Sequence, residues 1–201
     1  MRIEGAQVNL REIDPSDLER MVRWRNESRR YFFYQRLLTM EGQRAWYGRY
    51  LEDNTDLMFV IETREGIPVG TVGINKIDLK RKTGEFGRMM IGEGEYRCNG
   101  LGGDTTMTLL RYAFCEMGLE RMYLEVLAFN TKAIELYKRC GFKQEGGVRT
   151  RPMEDGAVCE YVAMAISKEQ LDAQRADGRC GGLVPRDHFS GSARSGVVGS
   201  L

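Results

Sequence analysis

The sequence predicts an α/β domain of the α+β kind: a mixed, mostly antiparallel sheet of six to seven strands, flanked by about four helices. Two observations carry this. Between residues 7 and 167, short apolar runs of strand length alternate with stretches of helical spacing, in the order strand, two helices, a run of strands, then strand–loop–helix–strand–helix–strand–strand. The strand–helix–strand passage in the second half supplies one parallel crossover in an otherwise hairpin-like order.

The elements follow from local signals. Residues 7–11 alternate and form a first strand. Asp14-Pro15-Ser16-Asp17 offers an N-cap, a proline at the first helical position and an acid in the first turn, with Leu18, Met21 and Val22 at helical spacing. A second helix is expected over residues 39–51, with Trp46, Tyr47, Tyr50 and Leu51 as its apolar stripe. The intervening segment mixes Arg25, Arg29, Arg30 and Arg36 with Trp24, Tyr31, Phe32, Phe33 and Tyr34. It reads either as a helix end and loop over the core edge or as a pocket wall. Residues 57–61 and 69–75 pair as a hairpin across Arg64-Glu65-Gly66, and residues 85–91 form the next strand. Helical spacing resumes through Thr106, Leu109, Leu110, Ala113, Phe114 and Met117 and stops at Gly118. After a strand at 122–127, Asn130 caps a helix carrying Ala133, Leu136, Tyr137 and Cys140 on one face, with Gly141 past its end. A last hairpin joins 142–148 to 158–166 through Asp155-Gly156.

Residues 1–168 are read as the domain and 169–201 as a Gly/Ser-rich flexible tail, whose removal at Ser167 is expected to be neutral. Thirty Lys+Arg against 29 Asp+Glu give a formal charge of +1, which asks for neither nucleic acid nor an acidic membrane. The single histidine, His188, lies in the tail, so a Ser-His-Asp or Cys-His dyad and a histidine zinc site are not expected, and no metal is assigned. Cys98, Cys115, Cys140, Cys159 and Cys180 are evenly spread, odd in number and without a C-x-x-C pair, as free thiols in a reducing compartment would be. With no apolar leader at the N-terminus and no run of membrane-spanning length, the expected location is cytoplasmic.

The chemistry is carried by Arg97-Cys98-Asn99-Gly100-Leu101-Gly102-Gly103, between a strand and a helix. Glycines let the chain turn tightly and gather amide N–H groups, and the following helix adds its own unpaired amides and positive dipole end. That makes a cradle for phosphate or pyrophosphate, with Arg97 as a charged rim; a plain structural turn is the alternative. The P-loop ending is absent, and Thr105 stands where a dinucleotide fingerprint needs its third glycine. Glu125 on the next strand could still serve a ribose, so a nicotinamide-dependent oxidoreductase remains open.

Arg97-x-x-Gly100-x-Gly102 resembles the Arg/Gln-x-x-Gly-x-Gly/Ala signature of the GNAT superfamily of acyl-CoA N-acetyltransferases. Glu85-Phe86-Gly87-Arg88-Met89-Met90-Ile91 is similar to that family's central fourth strand. Glu125-Val126, then Asn130-x-x-Ala133-Ile134-x-Leu136-Tyr137-x-x-x-Gly141-Phe142, resembles its fifth strand, following helix and sixth strand. The resemblance spans about residues 7–167, and Trp24-Arg25-Asn26 is similar to the branch containing ribosomal-protein and nucleotide-amino-sugar N-acetyltransferases.

The resemblance implies acetyl-CoA as co-substrate, its pantetheine in a gap between splayed central strands beside Met90, Ile91 and Gly92, and its pyrophosphate on the amides of Arg97, Cys98, Asn99, Gly100, Leu101, Gly102 and Gly103. It implies direct attack of a neutral amine on the thioester, an oxyanion donor at the backbone N–H near Met90 or Ile91, and Tyr137 as proton donor to the leaving thiolate. A core tyrosine is the alternative for Tyr137. Asn130 is a cap and, by resemblance, a contact to pantetheine or substrate. Glu85 is the candidate base, its alternative being a carboxylate paired with Arg or Lys. The acceptor implied is a small-molecule amine such as an amino sugar or nucleotide-linked amino sugar, with a protein N-terminal amine as runner-up and a non-catalytic acyl-CoA-binding module as a further reading. A homodimer is among the expectations, because dimers are common among such relatives.

Overall fold

The computed structural model describes residues 1–153 and 156–176. Its strands are β1 (Arg2–Glu4), β2 (Val8–Glu12), β3 (Leu57–Thr63), β4 (Pro68–Asp78), β5 (Thr83–Ile91), β6 (Arg121–Leu127), β7 (Lys143–Gln144), β8 (Arg149–Pro152) and β9 (Val158–Ser167). They form one sheet in the order β1-β2-β3-β4-β5-β6-β9-β7, with β8 also on β9. Every pairing is antiparallel except β5 with β6. The sheet exceeds the expected strand number for two reasons. A short edge strand, β1, precedes the first expected one, and the expected strand at 142–148 is reduced to β7 and followed, past Gly146-Gly147 with Gly146 at φ +76°, by a separate strand, β8.

The helices are α1 (Leu18–Glu27), α2 (Met40–Glu52), α3 (Leu101–Arg111), α4 (Thr131–Arg139) and α5 (Lys168–Ala176). Their starts follow the side-chain caps. Asp14 and Asp17 form a capping box on the 3₁₀ turn Pro15–Asp17 that leads into α1, and Arg11 grips Asp17 with two hydrogen bonds of 2.9 Å. Thr39 Oγ1 accepts from the Gly42 N–H at 3.1 Å at the head of α2. α3 runs on through a π-helical turn, Tyr112–Glu116, and ends at Gly118 with φ +70°.

The sheet separates two cores because side chains alternate along its strands. Phe59 and Ile61 of β3 pack with Leu109, Leu110 and Phe114 of the α3 segment, whereas Met58 and Val60 face Leu18, Met21 and Tyr50 of α1 and α2. Of the expected α2 stripe, Tyr50 is buried, with the Trp46 and Tyr47 rings stacked on it, whereas Leu51 is 55% exposed.

The expected domain end at residue 168 needs correction. Residues 168–176 form α5, started by reciprocal bonds between Ser167 and Gln170. Leu171 is 2% exposed in the main core, and Gln174 sits against Gly141, where a β-carbon would collide with it. One apolar residue per turn is too little periodicity to read in sequence. The remainder of the expected tail, with Cys180 and His188, lies outside the described residues, as does Asp155 of the last turn. No helix among the described residues is long and apolar enough to cross a membrane.

Candidate active site

The centre of the sheet opens between its two parallel strands. Thr83, Gly84 and Glu85 of β5 pair with Arg121, Met122 and Tyr123 of β6, and there the ladder ends, although both strands continue. Beyond that point β6 has β9 as its one ladder partner among the described residues, through the whole of its length. A bulge in β5 accompanies the opening. Thr71 of β4 faces Met90, but Gly73 faces Gly87, so Arg88 and Met89 together oppose a single residue, Val72. Arg88 takes φ +53°, and its carbonyl accepts from Thr71 Oγ1 at 3.0 Å. The Met90 carbonyl lies so near Gly70 that any β-carbon there would overlap it.

The glycine loop leads into α3 and supplies its first turn: the helix begins at Leu101, ahead of the expected spacing from Thr106. Gly100, at φ +84°, is its N-cap and supplies no side chain to occupy the first amides. Gly103 and Asp104 N–H already bond to the Gly100 carbonyl, at 3.0 and 3.2 Å, which leaves the Leu101 and Gly102 N–H groups at the helix mouth. Asp104, fully buried in the first turn, accepts from the N–H groups of Ala6, Gln7 and Val8 at 3.2, 2.7 and 3.0 Å and fixes the β1–β2 turn on α3. Cys98, exposed at φ +65°, and Asn99, whose Nδ2 donates to the Glu95 carbonyl at 3.2 Å, complete the turn. Arg97 does more than edge the loop: its Nε and Nη2 donate to the Ile91 and Gly92 carbonyls, both at 2.9 Å, and fasten the end of β5.

Tyr137 stands beside the opening. Its ring lies 5.6 Å from Phe86, the first β5 residue beyond the ladder, and 5.9 Å from Phe142. Burial pushes its phenol well above the usual range, so the hydroxyl stays protonated at any physiological pH. Asn130 caps α4, its Oδ1 accepting from Ala133 N–H at 3.4 Å. Glu85 precedes Phe86 and therefore points to the opposite face, where Lys76 Nζ lies 2.6 Å away.

On that face a cavity of about 560 Å³ lies between α1, the α1–α2 segment, α2 and the central strands. Thr71, Arg88 and Met90 form its floor, and Arg25, Phe32 and Tyr34 form part of its wall. The Arg-aromatic segment is thus a pocket wall. Arg88 is held by Asp56 at 2.6 Å and lies 5.5 Å from the Trp46 ring. Glu85 is not among the lining residues. Arg25, Thr71 and Arg88 were not picked out as site residues from sequence. The Arg-aromatic mixture was the signal for Arg25, and nothing in the residue type marks Arg88 as a bulge.

A sheet opened between two parallel strands beside a glycine-started helix is the architecture of the acetyltransferase (GNAT) domain, and the chain belongs to that family, whose model matches residues 7–143. It is an acetyl-CoA-dependent N-acetyltransferase, which sets aside the oxidoreductase reading. The spermidine N(1)-acetyltransferase of Vibrio cholerae is 28% identical over 145 residues, covering 71% of this chain and 82% of that one. The Escherichia coli K12 spermidine N(1)-acetyltransferase is 27% identical over 169 residues, covering 83% and 89%. The crystal structure of spermidine N-acetyltransferase from Vibrio cholerae in complex with CoA and spermine superposes with a TM-score of 0.75 at 25% identity, covering 83% of this chain and 98% of that one.

Proposed function

We propose that this enzyme acetylates the primary amine of a small molecule that enters the 560 Å³ cavity from the α1–α2 side. One observation carries the reading: the cavity floor, Thr71, Arg88 and Met90, is the bulged stretch of β4 and β5 beside the opened edge, so acceptor and acyl donor reach one strand from two directions. The Leu101 and Gly102 amides, with the rest of the 97–103 loop, suit a pyrophosphate at the α3 mouth. The β5 backbone near Met90 and Ile91 suits the pantetheine and supplies the N–H that polarises the thioester carbonyl. Asn130 stands at the adjoining helix start.

The amine nitrogen bonds to the carbonyl carbon as the carbon–sulfur bond breaks. Tyr137, held neutral by burial, gives its proton to the departing sulfur and regains one from the amine nitrogen, which sheds a second proton as the amide forms. Glu85, on the acceptor face of β5, receives the proton that the attacking ammonium must shed, through water, and its pairing with Lys76 holds it in place. The cavity is sized for a small molecule. An amino sugar, free or nucleotide-linked, is the acceptor the sequence favours, and a polyamine is the one the relatives' names favour.

Calorimetric titration with acetyl-CoA, followed by thiol release over a panel of amines, tests the reading. Acetyl-CoA binding with acetylation of at least one small amine is expected. Absence of acetyl-CoA binding, or thiol release only with peptide N-termini, overturns it.

A further inference from the structure

We propose that the acceptor carries an anionic group beside its amine and that Arg25 is the residue that selects it; the proposal rests on the transferase reading above. The evidence is the charge balance of the acceptor face. Among the described residues no Asp or Glu lines the cavity, whereas Arg25, Arg49 and Arg88 do. Three carboxylates on this face are already taken: Asp56 by Arg88 at 2.6 Å, Glu85 by Lys76 at 2.6 Å, and Glu125 by Arg151. Among the described residues neither Arg25 nor Arg49 has an ion-pair partner.

Arg25 is the informative one of the two. Arg49 is exposed at the rim, but Arg25 is held within the wall. The Arg25 guanidinium lies 3.8 Å from the centre of the Phe32 ring, and Nη2 donates to the Tyr34 carbonyl at 2.6 Å. Nη1 is buried with no hydrogen-bond partner among the described residues. A guanidinium removed from water without a counter-charge is unfavourable unless something else supplies one. Burial, the larger influence, pulls it down to about 10, with Tyr34 acting the other way, so it remains a cation at neutral pH. A carboxylate or phosphate on the acceptor supplies the missing charge. A polyamine brings only positive charge to a wall that already has too much. This face therefore departs from what the relatives' names suggest, and an amino sugar bearing an acid or a phosphate fits it.

Four probes separate the cases: muramic acid (an amino sugar with a carboxylate), glucosamine 6-phosphate, glucosamine and spermidine. Each is titrated into the CoA-saturated protein by calorimetry and assayed for acetyl transfer. One or both anionic amino sugars should bind and react about ten- to a hundredfold better than glucosamine, as one charge-assisted contact allows. Which of the two leads distinguishes carboxylate from phosphate. Arg25→Gln should bring the anionic-to-neutral ratio close to one, and Arg25→Lys should restore part of it. The Gln variant should also melt no lower than the parent in the absence of acceptor, because it removes a half-buried charge that has no ion-pair partner among the described residues. A purely structural arginine gives the opposite: a lower melting temperature and an unchanged ratio. If acetyl-CoA binds but neither anionic amine binds better than glucosamine, or spermidine is preferred, the proposal fails while the transferase reading stands. If acetyl-CoA does not bind, the reading itself fails and takes the proposal with it.

Discussion

The Trp24 indole lies directly over Gly92, so close that a β-carbon on the glycine would overlap its Cγ, Cδ1 and Cδ2. The same indole donates from Nε1 to Glu93 Oε1 at 2.9 Å. One side chain of α1 thus holds down the two residues that follow β5, where the chain leaves the opened sheet for the glycine loop. Trp24 is 1% exposed and has no room to retreat. Gly92→Ala should destabilise the protein by about 1–3 kcal/mol through overpacking. A thermal melt with an unchanged midpoint would show that Trp24 can move aside.

Glu93 gives this contact a pH dependence. The Trp24 N–H, foremost, and then Arg23 hold its carboxyl below the ordinary 4.5. A carboxylate with a lowered folded-state value contributes stability that is fully present above the unfolded value and is lost as pH falls through the folded one. Glu93→Gln should therefore leave a smaller loss of stability below about pH 4.5 than the parent shows, with the two proteins differing most at neutral pH. Denaturant midpoints at pH 7 and pH 3 measure it, and identical pH dependence in both proteins would refute the contribution.

Tyr137→Phe should slow acetyl transfer by about 10²- to 10⁴-fold while leaving acetyl-CoA affinity near that of the parent. The hydroxyl matters when charge develops on sulfur, and the ring keeps its contacts with Phe86 and Phe142. Unchanged kcat in the Phe variant would make Tyr137 a core residue only.

Leu171→Ala should lower stability by about 2–5 kcal/mol, as truncation of a buried leucine does. Cutting the chain at Ser167 removes all of α5 and should do at least as much harm. If the cut protein melts like the parent, α5 contributes no packing and the domain does end at 168.

Much of the fold could be read from local chemistry. Asp14, Thr39 and Asn130 start their helices where the residue types said they would, because capping is decided within one turn of chain. The parallel crossover and the glycine loop were legible for the same reason. What stayed hidden depends on distant neighbours. Arg97 reads as a surface charge at a phosphate rim, yet its guanidinium turns back to the carbonyls of Ile91 and Gly92. Arg88 adopts a left-handed conformation that an arginine does not favour by itself, held by Thr71 across the strand and by Asp56 across the cavity. Glu85 could be read as base or as ion-pair partner, and only the position of Lys76 settles that it is at least the second. The anionic or cationic taste of the acceptor site is likewise a property of which charges find partners, and that is invisible in a net charge of +1.

Among the described residues, three residue pairs join β5 to β6, extended at the same end only by the Lys82 carbonyl, which accepts from the Glu120 and Arg121 N–H groups at 2.8 and 3.1 Å; this is the backbone seam between the β1–β5 and β6–β9 parts of the sheet. Mechanically the protein is two half-sheets stitched at one end, with α3 spanning the join. Any molecule lodged along the seam takes the place of the missing rungs, and its binding energy is then also cohesion between the halves. With the acyl donor in this gap, as proposed, the empty enzyme is the weaker of its two forms. Occupancy should accordingly be readable as resistance to heat and to proteases in β6 and at the far end of β5, residues that need not touch the ligand themselves.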